Sequence, residues 1–336
     1  MQQLFTRKNT TIIKAIAILC VFFCHLGNQF TRFTTPLGGI GVCMFLIISG
    51  YGLEKSFISK SSTALNNETT PRKIIGGGYR LNCWWRKRII GVWLPYWIIS
   101  ICVLPLKAYD GALDVFLDLT LVSPNFSLGW YLNYLLLWYV VFWVLHRFIG
   151  DDKNTRLIVM GIITVGLMVY YGFKSGLRFE QSFAFPLGVV MANYEDKAKK
   201  VFKGRVVIIL LAVGVILLGL KQTSYVRNLP DLLLNILNLV MKESVGIGLV
   251  IGTVVVFESK NWISIKGSLV KILVPIGLAS YELYLVHGYA LKIFDLSISK
   301  ELSVLIFIGI SMVGTTLFYF VENKIVARLK RIVGVK

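Results

Sequence analysis

Long apolar runs constrain this chain more than any other feature. Segments such as VVIILLAVGVILLGL (206–220) and SVLIFIGISMVGTTLFYFV (303–321) are continuous rather than alternating. At about 1.5 Å per helical residue they approach the roughly 30 Å of a bilayer's hydrocarbon core. Inside that core every backbone N–H and C=O needs a partner within the protein, so only helical bundles and closed barrels span it. Unbroken apolar runs select helices. The expected fold is all-α, a polytopic transmembrane helical bundle of about ten spans. They fall near 12–28, 38–57, 89–106, 129–145, 157–172, 179–194, 206–220, 232–257, 272–293 and 303–321. The eighth is the least regular, because Lys242 and Glu243 lie inside it; it is either broken or led into by an extracellular helix.

Charge then orients the bundle. Only 16% of residues are charged, where soluble domains sit near a quarter, yet the net charge is +19. In a soluble protein that excess would suggest nucleic acid. Here an even number of spans puts both termini on one side, and about three-quarters of the 36 Lys and Arg fall on that side. Both termini are therefore expected in the cytoplasm, with no nucleic-acid partner. The longest inner loop, 58–88, begins polar (Ser59–Lys73) and ends basic and aromatic, from Tyr79-Arg80 through Trp84-Trp85-Arg86-Lys87-Arg88. The outer loop 107–128 is acidic, with Asp110, Asp114 and Asp118. The five cysteines lie in or beside apolar segments without disulfide or zinc spacing and read as small apolar residues. No metal site is expected. The first apolar run, Ile12–Gly27, lacks a cleavage site and is expected to stay as a span. The whole chain, 1–336, reads as a single membrane domain in the plasma membrane.

Ionisable side chains inside spans are costly, and each is a functional-site hypothesis. Lys14 and His25 return to one face of the first helix within roughly 20°, about 16 Å apart along the axis. A neutral imidazole at His25 could accept a proton from an attacking hydroxyl. The alternatives are a snorkelling Lys14 and a hydrogen-bonded bundle histidine. Ser280, Tyr284 and His287 make a polar stripe at i, i+4 and i+7, which also suits plain interhelical hydrogen bonding. Glu322 closes the last span at the inner surface, and His146 heads an inner loop as a solvated residue. Ser49 lies among Gly50 and Gly52, which permit close helix approach. Trp93-Leu94-Pro95-Tyr96-Trp97 and Trp130-Tyr131 read first as interfacial aromatic belts. The basic cluster Arg80, Arg86, Lys87 and Arg88 is either a solvated loop touching anionic lipid or a site for a phosphate-bearing cofactor.

Five segments in this order resemble the integral membrane acyltransferase-3 family. They are Lys14 to His25 in IIKAIAILCVFFCH, Phe45 to Tyr51 (FLIISGY), Arg86-Lys87-Arg88 through Pro95-Tyr96, Trp130-Tyr131, and Ser280 to His287 (SYELYLVH). The resemblance spans nearly the whole chain. Three positions depart from the family pattern: Lys14 stands where Arg is typical, Gly91 where a second Arg follows the basic run, and Asn323 where Lys-Pro often follows the final Glu. Lysine keeps the charge at position 14 and loses the bidentate fork.

The resemblance implies a membrane-embedded O-acyltransferase. It would move an acyl group, usually acetyl, from cytosolic acetyl-CoA to a hydroxyl of a surface polysaccharide or its lipid-linked precursor. It implies CoA phosphates on Arg86, Lys87 and Arg88, and His25 as general base or transient acyl carrier. Lys14 would keep the surroundings of His25 polar or contact the donor. Ser49, Tyr284, His287 and Glu322 would serve the acceptor side or orient other groups. The competing class is a secondary transporter or exporter of a small anionic or acylated solute, using the same His and Lys as a proton relay. Such proteins usually carry inverted repeats and paired broken helices, and no repeat is visible here.

Overall fold

The computed structural model describes residues 4–65, 81, 84–259 and 263–333. Arg80, Cys83 and most of the 58–88 loop lie outside these residues. The elements in order are α1 (Arg7–Gly27), α2 (Thr35–Leu65), α3 (Trp84–Arg88), α4 (Leu94–Cys102), α5 (Ala112–Leu119), α6 (Gly129–Phe148), α7 (Lys153–Lys174) and α8 (Gly176–Phe179). They continue with α9 (Ala184–Asn193), α10 (Glu195–Val201), α11 (Gly204–Leu220), α12 (Ser224–Arg227), α13 (Asp231–Glu258), α14 (Ile263–Leu278), α15 (Ser280–Ala290) and α16 (Lys300–Val333). The described residues contain helices and no strand, as the unbroken apolar runs require.

Among the described residues, five stretches are long and apolar enough to cross a membrane: Arg7–Gly27, Arg32–Ser59, Lys153–Lys174, Asp231–Glu258 and Lys300–Leu329. Two interrupted pairs, Glu195–Val201 with Gly204–Leu220 and Gly267–Leu278 with Ser280–Asp295, bring the number up to seven. The side chains agree with a lipid environment. Ile158, Ile162, Val165 and Val169 form one exposed stripe along α7, a face that water would not favour.

Contacts divide the chain into two compact units. The first comprises residues up to 80 with 141–278, and the second 81–140 with 279–336. In the first unit α2 is the hub, packed against α1, α9 and α13. Glycines set its closest crossings. A Cβ on Gly50 would lie 2.2 Å from the Phe185 carbonyl oxygen, and one on Gly188 would lie 2.1 Å from that of Ile47. Gly52, expected to serve the same purpose, faces open space instead. Gly41 rests on the Ala17 carbonyl, and Gly38 on the Cys24 sulfur. Thr6 caps α1 by accepting from the Asn9 N–H, and Asp152 caps α7.

In the second unit α15 packs against α4 and α16. Between α3 and α4 the backbone makes a π turn, Ile89–Trp93. Pro95 has no N–H for the carbonyl four residues back, and the π turn absorbs that mismatch. Tyr281 donates its hydroxyl to the Val92 carbonyl in this turn at 2.8 Å.

Several expected spans differ in detail. The eighth is one continuous helix, α13, with Lys242 and Glu243 buried inside it. The sixth contains a ten-residue helix, α9, about 15 Å long at 1.5 Å per residue. The ninth is interrupted at Ala279, between α14 and α15. Trp93, Tyr96 and Tyr131, read first as belt residues, are buried in the second unit.

Candidate active site

His25 is half-buried near the end of α1, and Lys14 is exposed three turns earlier. Their common face is closed between them by Ile18 and Val21, at 0% and 2% exposure. The helix places both as expected and keeps them about 16 Å apart. His25 lies one residue, about 100°, round from Cys24, whose sulfur sits against Gly38 of α2. Ser49 is half-buried on α2 beside the Gly50 crossing.

The other expected residues belong to the second unit. Arg86 and Lys87 are exposed. Arg88 is held differently: its guanidinium stands 5.2 Å from the Trp84 ring and 5.3 Å from that of Tyr139. Its buried Nε has no hydrogen-bond partner among the described residues. Two aromatic faces thus fix the cation and leave one buried donor unspent. Gly91, where the family pattern carries a second Arg, opens on free space, so no steric barrier explains the missing side chain.

Tyr284 donates its hydroxyl to the Leu128 carbonyl, and its ring meets Phe126, Tyr131 and His287. His287 is fully buried, with Nδ1 2.6 Å from the Leu283 carbonyl oxygen. A carbonyl only accepts, so Nδ1 carries the proton and Nε2 is the basic nitrogen of the neutral ring. Glu322 is buried at 8% exposure, and the helix does not end there: α16 runs on to Val333.

Three buried charge clusters escaped the sequence reading. The first corrects the role expected for His146, which is fully buried rather than solvated. Its Nε2 lies 2.6 Å from a Glu54 carboxylate oxygen, and its Nδ1 donates to the Phe142 carbonyl at 2.8 Å. Arg156 and Asn193 each donate to the other Glu54 oxygen at 3.0 Å. One carboxylate therefore ties α2 to α6, α7 and α9. Glu54 lies within the second expected span, so the rule that singled out Lys14 applied to it equally.

The second cluster pairs Lys242 of α13 with Glu180, while Glu243 accepts from the Phe183 N–H at 3.0 Å. The Lys242 stem lies over Gly39 of α2. The third sits in the second unit, between α4 and α6. Asp118 accepts from Tyr96, from Lys107 at 2.6 Å, from Tyr109 at 2.5 Å and from the Asn125 N–H at 2.6 Å. Burial alone would raise the Asp118 carboxyl, but these hydrogen bonds together hold it below the usual carboxylate value. Burial likewise works against the Lys107 ammonium, and Asp118 with its neighbours keeps that group above the usual lysine value.

A chain whose described residues form helices and no strand, with several helices fit to cross a bilayer and ionisable groups held inside them, is a membrane protein with polar groups in its interior. The family model of the acyltransferase domain, acyltransferase-3 type, matches residues 9–321. The chain belongs to this family and is an acyltransferase. No curated protein and no solved structure matches it.

Proposed function

We propose that this acyltransferase crosses the plasma membrane about ten times with both termini in the cytoplasm. It transfers an acyl group, preferentially acetyl, from cytosolic acyl-CoA to a hydroxyl of a surface polysaccharide or its lipid-linked precursor. The observation that carries the reading is the family match across residues 9–321. The same match disfavours the transporter alternative.

His25 takes the proton of the acceptor hydroxyl, or attacks the thioester itself. In the second route the C–S bond breaks, CoA leaves as thiol, and an acyl-imidazole passes its acyl group to the acceptor. Lys14 keeps the surroundings of His25 polar or contacts the donor. Arg86, Lys87 and Arg88 bind the CoA phosphates, a role supported by the unspent Nε donor of Arg88. Ser49, Tyr284, His287 and Glu322 orient groups on the acceptor side. The backbone bonds that fix Tyr284 and His287 suit such an orienting role.

Purified protein in detergent, given radiolabelled acetyl-CoA and whole surface glycan, should label the glycan. His25→Ala should lower that transfer at least about a hundredfold, the low end for loss of a general base. Arg88→Ala should mainly raise KM for the donor, by about tenfold, with kcat little changed. Undiminished transfer in His25→Ala would remove this histidine from the chemistry. No label from wild type would remove the donor or the acceptor named here.

A further inference from the structure

A cavity of about 420 Å3 opens in the first unit, among the end of α7, the α8 turn, the end of α11 and the start of α13. Its volume lies within the roughly 300–1,000 Å3 of small-ligand sites. Its lining is unusually polar for such a site: Lys174, Ser175, Lys221, Asp231, Asn235 and Asn238. These groups do not cancel one another. Lys221 is half-buried, and its ammonium bonds a neutral oxygen, that of Asn238, at 2.7 Å. Lys174 stands over the Tyr170 ring at 5.4 Å. Among the described residues neither lysine forms an ion pair, not even with Asp231 of the same lining. Burial, then repulsion from Lys242, hold Lys221 below the ordinary lysine value, although Glu180 opposes them. A bound anion would relieve both.

Register places the cavity with respect to His25. The Lys242 stem covers Gly39, and Gly246 meets Cys43, so the first turns of α13 lie at the end of the unit where α2 begins. The last turn of α1 lies there too, because Cys24 meets Gly38. His25 and the cavity therefore share one end of the first unit. In the proposed topology that end faces outward.

We infer that this cavity seats an acidic saccharide unit of the acceptor, a sugar bearing a carboxylate or a phosphate. Lys221 and Lys174 face its charge, while Asn235, Asn238 and Ser175 meet its hydroxyls and Asp231 adds an acceptor. Amides and hydroxyls both donate and accept, which matches vicinal sugar hydroxyls. This assignment rests on the acyl-transfer reading for its biological sense, and its binding chemistry can be tested apart from that reading.

The full-length protein in detergent is titrated with glucuronate, glucose 6-phosphate, glucose and inorganic phosphate, and binding is read by saturation-transfer NMR. The two acidic sugars should bind at least about tenfold more tightly than glucose, as a charge-assisted contact predicts. Lys221→Met should abolish that preference and Lys221→Arg should keep it. Lys174→Met, at an exposed position, should weaken it without disturbing the packing. Equal binding of glucose and glucuronate overturns the charge assignment. Inorganic phosphate binding as tightly as glucose 6-phosphate overturns the saccharide assignment.

Activity separates the two layers. In Lys221→Met the acceptor-independent hydrolysis of acyl-CoA should be unchanged, while KM for an acidic glycan rises about tenfold, the cost of one charge-assisted contact. Transfer with an unchanged KM overturns the cavity's role and leaves the acyltransferase reading intact. Binding of acidic sugars that depends on Lys221, without any transfer to glycan, supports the cavity and removes the acceptor reading.

Discussion

Asp118 lies in the last turn of the short helix α5, yet its carboxylate loses all contact with solvent, and Lys107 beside it is 1% exposed. Removing one partner of such a pair leaves a buried charge uncompensated, at a cost of about 3–5 kcal/mol. Asp118→Asn should therefore melt well below wild type in detergent, and adding Lys107→Met should recover part of the loss; equal melting temperatures would refute the estimate. The pair also defines a pH window. The Asp118 carboxyl is held below its unfolded value, so its stabilisation is complete above about pH 4 and drains away as acid protonates the folded form. The Lys107 ammonium is held above its unfolded value, so its share is complete below about pH 10 and is lost as pH rises through the folded value. Sequence made Asp118 visible only as loop acidity. Nothing local shows that Tyr96 and Lys107 will fold back onto it. By contrast, Lys14 and His25 stand out because each is polar in an apolar run, which needs no tertiary knowledge. Glu54 had the same local signature, but its partner His146 follows it by 92 residues on another helix.

Among the elements, the crossing of α2 and α9 is the tightest test of packing. At Gly188 a side chain would strike the Ile47 carbonyl and the Tyr51 N–H, which belong to backbone and cannot swing aside. Gly188→Ala should destabilise by at least about 1–3 kcal/mol, the usual cost of overpacking. Gly52→Ala, open on all sides, should be neutral or gain up to about 1 kcal/mol from helix propensity. Thermal unfolding of both variants in detergent checks the contrast, and equal melting temperatures would overturn it. Helix content was legible throughout, because apolar runs of this length leave little choice. Helix continuity was not. The charges at Lys242 and Glu243 argued for a break in a helix that stays whole, since Glu180 and the Phe183 N–H satisfy them. The break at Ala279 follows Pro275 and Gly277, helix-weakening residues whose meaning an apolar run conceals.

At the scale of the molecule, the proposed orientation rests on the distribution of basic residues. A fluorescent reporter that matures only in the cytosol, fused after Lys336, should light up; a well-expressed dark fusion would reverse the proposed sidedness. The order in which the chain is made adds a constraint of its own. Glu54 enters its helix 92 residues before His146 and 102 before Arg156. At about 5–20 residues per second, synthesis leaves that carboxyl waiting some 5–20 seconds for its partners. An unpaired acid costs about 2.5–3.5 kcal/mol at the centre of a membrane helix, and less at Glu54, which stands near the inner end of the expected span 38–57. The second helix must therefore be tolerated by the insertion machinery, or carry its proton, until α6 and α7 emerge. A ribosome stalled before Arg156 would hold a nascent chain whose second helix still lacks its lock.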